Sequence, residues 1–139
     1  MRISLLFIAF ASIVFVSCSN KLIHLENGKK IDSRLVGTWI GSEKDKQLAG
    51  SEKSWEMIRK ADGTFSLDFK VINNGKTYKF IETGTWWIAK GKFHEFHKES
   101  GKTDIYAYKV LNANSIQFTA EQISVEMNAE SYVFIDTRK

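Results

Sequence analysis

At 139 residues, 43% hydrophobic and 26% charged, the chain has room for one domain with one core. Its net charge of +4 comes from lysines interspersed with Asp and Glu, which excludes a concentrated basic surface for nucleic acid. A single cysteine excludes an intrachain disulfide framework and any multi-cysteine metal site, and nine glycines with no proline point to turns built on Gly and Asn.

The chain opens with Met1-Arg2 and then an uncharged, almost wholly apolar run over residues 3–16. That run is shorter than the roughly 20 residues a membrane-spanning helix requires, and it matches the apolar part of a secretory signal. It ends in Phe15-Val16-Ser17-Cys18. A small residue directly before a cysteine, at the end of such a run, resembles the lipobox of bacterial lipoproteins. The resemblance implies cleavage after Ser17, diacylglycerol on the Cys18 thiol, and an acyl chain such as palmitate on the new amino terminus. Ser19 stands where Asp would mark retention at the inner membrane, which implies the outer membrane. Residues 1–17 are therefore expected to be a signal peptide, and residues 18–33 a lipidated cysteine with a polar tether. His24 reads as a solvated tether residue. Asp32-Ser33 predicts a cap for one helical turn over residues 34–36.

From Leu35 onward, period-two alternation dominates. Phe65, Leu67, Phe69 and Val71 fall on one face of residues 64–71, with Thr64, Ser66, Asp68 and Lys70 on the other. A helix would scatter those apolar residues around its axis, so this is a strand half facing a core. Asp62-Gly63 before it and Asn73-Asn74-Gly75 after it are hairpin signals, which makes its neighbours, residues 54–60 and 76–83, antiparallel. Further strands are predicted over residues 85–90, 92–98, 103–110, 115–120, 122–127 and 131–137, joined by short turns. The polar stretch of residues 43–53 is the one long connection. An antiparallel meander of eight to ten short strands avoids exposed edges best by closing into a barrel.

Gly37-Thr38-Trp39 opens the first strand, and the same triplet returns as Gly84-Thr85-Trp86, read as opening a middle strand. A Gly-x-Trp strand followed by a long first loop and a meander resembles the lipocalin and lipocalin-like barrels. The resemblance covers residues 34–138 and makes residues 34–139 the barrel domain. It implies that residues 34–36 form the turn closing one barrel end. Residues 43–53 would then lid the other end, and Arg138 would pack across the Trp39 ring. Gly37, Trp39 and Arg138 are accordingly the expected closing point.

The mature chain is rich in aromatic residues. Trp55, Phe65, Phe69, Tyr78, Phe80, Trp86, Tyr106, Tyr108 and Phe118 are the candidate ligand contacts of the barrel interior; the alternative is that they simply fill it. Trp86 and Trp87 are adjacent, so a regular strand places one inside and one outside. His94-Glu95-Phe96-His97 has the look of a metal motif, but on a strand the two imidazoles point to opposite faces, and no metal is expected. The strand carboxylates Glu56, Asp68, Glu82 and Glu95 are expected to face water. No Gly-x-Ser-x-Gly, phosphate loop or Cys–His pair occurs, so no catalytic residue, enzyme activity or cofactor is expected. The expectation is a lipid-anchored protein of the bacterial envelope that binds a small hydrophobic ligand, with a membrane but no nucleic acid as partner. The alternative is a filled barrel that meets or inhibits an envelope protein.

Overall fold

The computed structural model describes residues 22–44, 49–123 and 132–139. The predicted signal peptide, Cys18, and the strand expected beyond Ile123 lie outside the described residues. Among the described residues, ten strands and one short helical turn run in the order β1 (Leu22–His24), β2 (Lys30–Asp32), η1 (Ser33–Leu35), β3 (Gly37–Lys44), β4 (Ser51–Arg59), β5 (Thr64–Asn73), β6 (Lys76–Ala89), β7 (Lys92–His97), β8 (Lys102–Asn112), β9 (Ser115–Gln122) and β10 (Val133–Arg138). Strands β3 to β10 each pair antiparallel with the next, and β10 returns to β3 with Arg138 opposite Trp39. Among the described residues this makes an eight-stranded antiparallel barrel, closed on itself, so no edge remains in it.

The turns follow from their residues. Asn74 and Gly75 join β5 to β6 with φ of 50° and 72°, and Lys90 and Gly91 join β6 to β7 with φ of 52° and 73°. Paired positive φ values match the right-handed twist of the strands, and Asn and Gly adopt them at least cost. These turns alternate between barrel ends. One end carries the β4–β5, β6–β7 and β8–β9 turns together with η1; it is closed. The other carries the β3–β4, β5–β6 and β7–β8 connections and is open.

Four expectations are corrected. The tether of residues 18–33 is folded from Leu22: β1 and β2 form a hairpin, β2 joins β6 at Lys30 and Ile88, and Ile31 and Leu35 are buried against the closed end. The helical turn starts one residue early, at Ser33, because the Asp32 side chain accepts from the Arg34 backbone N–H at 3.0 Å. The long lid shrinks to residues 45–50, of which 45–48 lie outside the described residues. Its flanks are strand because Glu43 and Lys53 pair across β3 and β4 at 3.1 Å, so polar side chains sit inside without unpaired charge. Finally, residues 76–90 hold one strand of 14 residues, and the second Gly-Thr-Trp lies within it. Gly84 does not interrupt β6. It lets neighbours close in, since a Cβ there would come 1.8 Å from the Phe96 carbonyl oxygen and 2.7 Å from the Phe65 ring.

The closed half of the barrel is filled. Trp39, Trp86, Phe93, Ile116 and Phe118 are fully buried there, with Phe93 and Phe118 edge to face at 5.1 Å. The indole N–H of Trp39 donates to the Leu35 carbonyl at 2.9 Å, and that of Trp86 to the Lys60 carbonyl at 3.2 Å.

Candidate functional site

The open half of the barrel is hollow. A cavity of about 480 Å³ begins above the buried rings and reaches the mouth, within the size range of small-molecule sites. Its apolar wall is built from β4, β5, β6 and β10, chiefly Trp55, Leu67, Phe69, Phe80 and Phe134. Alternation places these side chains inward, and register aligns them: Trp55 faces Phe69 across β4 and β5, and Phe69 faces Phe80 across β5 and β6. The Trp55 ring packs against Phe134 edge to face at 5.5 Å.

Of the nine rings singled out from sequence, Trp55, Phe69, Phe80 and Tyr106 line the cavity. Phe65, Trp86 and Phe118 lie deeper, in the filled half, where they are core. Tyr108 is at the closed end with its hydroxyl on Asp32 Oδ2 at 3.0 Å, so it is not a cavity contact. Tyr78 has the inward parity of β6 but sits near the mouth, 47% exposed and off the cavity. Filling and lining are thus both realised, divided by height along the barrel. Trp86 and Trp87 split as alternation requires: Trp86 is buried, while Trp87 lies outside, stacked on His94 at 5.2 Å under the Lys29 ammonium.

The closing point is built from three residues. Arg138 lies over the Trp39 ring with its guanidinium carbon 4.2 Å from the centroid, and it donates to the Val36 and Arg34 carbonyls at 3.1 Å each. Gly37 makes room for it, since a Cβ there would come 2.5 Å from Arg138 Nη1.

The cavity floor is polar, which the sequence reading did not anticipate. Arg59 Nη2 donates to Asp136 Oδ2 at 2.7 Å, both side chains being buried, and the Trp55 indole N–H donates to Asp136 Oδ1 at 2.8 Å. Gly41 makes this possible, because the Trp55 indole crosses the space its side chain would occupy. Higher up, Glu43 accepts from Lys53 and from the Tyr132 hydroxyl, the latter at 2.8 Å. Burial and the Glu43 carboxylate push the Tyr132 phenol well up.

On the β7 side stands an acidic cluster around one imidazole. His97 Nδ1 is 2.5 Å from Glu82, and its Nε2 is 3.1 Å from Glu95 and 3.3 Å from Asp104. The Tyr106 hydroxyl donates to Asp104 at 3.2 Å, and burial followed by the two nearby carboxylates raises that phenol well above its ordinary value. Burial alone would lower the His97 pKa, but its contacts with Asp104, Glu82 and Glu95 outweigh it and push the value up to about 12. His97 is therefore an imidazolium at neutral pH. The expectation that Glu82 and Glu95 face water is corrected: both point inward, and Glu95 is buried because His97 neutralises part of its charge. Glu56 and Asp68 do lie outside, on the opposite parity.

Around the interior, among the described residues, Lys53, Arg59, His97 and Lys102 stand against Glu43, Glu82, Glu95, Asp104 and Asp136, a formal excess of one negative charge. Among the described residues, no group of His, Cys, Asp and Glu is placed to hold a metal ion. The signal for the missed residues was present in parity: Arg59 and Lys53 share a face with buried Met57, and Glu95 and His97 share one with Phe93.

A family model described as a lipocalin-like domain matches residues 35–118. No curated protein matches the chain.

Proposed function

Because the chain belongs to the lipocalin-like domain family, we propose that it is a non-catalytic binding protein that holds a small hydrophobic ligand in the open half of its barrel. The observation that carries this reading is the cavity of about 480 Å³ with its wall of Trp55, Leu67, Phe69, Phe80 and Phe134. An apolar ligand entering it removes both its own surface and that wall from water, at about 25 cal/mol per Å². Trp55 is a built-in reporter, since its indole forms part of the wall and is tied to Asp136. Titration with fluorescent lipophilic probes should change Trp fluorescence saturably. A panel of such probes with no saturable change would sink the reading.

The same proposal places the domain on the bacterial envelope through lipidated Cys18, on the outer membrane. The support is the apolar run of residues 3–16 ending in Ser17-Cys18, with Ser19 after it. More than one acyl chain makes such anchoring stable where a single chain leaves it marginal. Cys18→Ala should move the protein from the membrane fraction to the soluble one; unchanged fractionation would refute lipidation.

A second reading, contact with an envelope protein, draws on exposed apolar residues of β6 near the mouth: Tyr78, Phe80 and Ile81. Crosslinking from position 81 in cells tests it, and recovery of no protein partner counts against it.

A further inference from the structure

Arg59 sits at the floor of the cavity with its side chain only 2% exposed. Its Nη2 is taken by Asp136, and its guanidinium carbon lies 5.0 and 4.9 Å from the Phe93 and Phe118 ring centroids. Nε and Nη1 find no acceptor among the described residues. A guanidinium keeps all its N–H donors at any relevant pH, and a buried donor without an acceptor is costly. Met57 and Leu67, opposite each other on the inward faces of β4 and β5, are apolar and offer it nothing. Arg59 itself lines the cavity floor.

Charge decides which kind of acceptor fits. Among the described residues, carboxylates already outnumber cations around the interior by five to four. An ionised carboxylate on the ligand would add a second net negative charge where water screens poorly. An ammonium would suit the acidic side but would leave the Arg59 donors unanswered. An uncharged oxygen acceptor satisfies Arg59 and leaves the charge balance unchanged. From Arg59 to Lys53, β4 rises roughly 20 Å, enough wall for a medium-length apolar chain.

The geometry points to a ligand with an uncharged carbonyl end (ester, ketone or amide) seated on Arg59 Nε and Nη1, and an apolar chain running up the wall past Trp55 and Phe69. This inference rests on the reading of the barrel as a site for a hydrophobic ligand.

Methyl decanoate, decanoate and decylammonium share a chain and differ at the head. Each is used to displace a fluorescent lipophilic probe from the purified protein at pH 7.5. Methyl decanoate should bind at least about tenfold tighter than either ionised head. The double variant Arg59→Met/Asp136→Asn, which removes both members of the buried pair together and leaves the excess of one negative charge, should abolish the preference for methyl decanoate over decylammonium. The inference is overturned by equal affinities in the unaltered protein, by either ionised head binding tightest, or by a folded double variant that keeps the ester preference over decylammonium. The ranking in the unaltered protein decides the matter even if the double variant does not fold. Failure of every probe and every head group to bind would instead remove the hydrophobic-ligand reading on which the inference rests.

Discussion

The guanidinium carbon of Arg138 lies over the indole of Trp39, 4.2 Å from its centroid, and so joins the last strand of the barrel to the first. The same side chain caps the Val36 and Arg34 carbonyls beside η1. One residue therefore ties together the closing strand, the opening strand and the plug of the closed end. Arg138→Met removes the cation–π contact and leaves part-buried carbonyls without donors. It should destabilise the barrel by about 2–3 kcal/mol, measured by urea unfolding. A loss within about 0.5 kcal/mol, the range of ordinary surface substitutions, would show that closure does not depend on it.

Gly84 tests the second Gly-Thr-Trp. A methyl there meets a backbone oxygen of β7 and the Phe65 ring, neither of which can retreat without separating β6 from its neighbours. Gly84→Ala should cost about 3 kcal/mol or more. Gly91→Ala, which meets open space and suffers only the positive φ of its turn, should cost about 1 kcal/mol. Equal stabilities for the two variants would contradict the close approach at residue 84.

The His97 cluster makes stability depend on pH with a definite sign. The folded value is raised to about 12, from about 6.5 in an unfolded chain. The contribution is therefore complete below pH ~6.5 and is lost as pH rises from there toward 12. Between pH 7 and 9, below the range where the raised tyrosines ionise, unfolding free energy should fall by up to about 1.4 kcal/mol per pH unit. His97→Gln should flatten this slope. A stability that increases with pH across the same window would count against a protonated His97.

Leu67 lines the cavity without contributing a charge or a hydrogen bond. Leu67→Trp puts an indole into the hollow half. It should weaken binding of a lipophilic probe by about tenfold or more while shifting Tm by no more than about 3 °C, because the space it fills is empty of protein atoms. Unchanged affinity in a folded variant would place the ligand elsewhere.

Much of this architecture is legible in local pattern. Phe65, Leu67, Phe69 and Val71 identify a strand with one inward face, and Asn74-Gly75 identifies the hairpin after it. Gly37, Trp39 and a late Arg138 suffice to anticipate where the barrel closes. Residue type misleads where charge is concerned. Glu82 and Glu95 read as water-facing although their parity is inward, because a carboxylate looks costly to bury alone.

The sequence by itself determined the all-β meander, its turns and the inward face of most strands, because strand periodicity and turn chemistry act over a few neighbouring residues. Tertiary structure alone decided which rings fill the barrel and which line a cavity, since alternation states a side chain's face but not its height along the axis. It also decided that the interior is charged. Arg59 and Trp55 meet Asp136 from positions 77 and 81 residues away, and a buried charge is tolerable only when closure of the barrel brings its partner within reach.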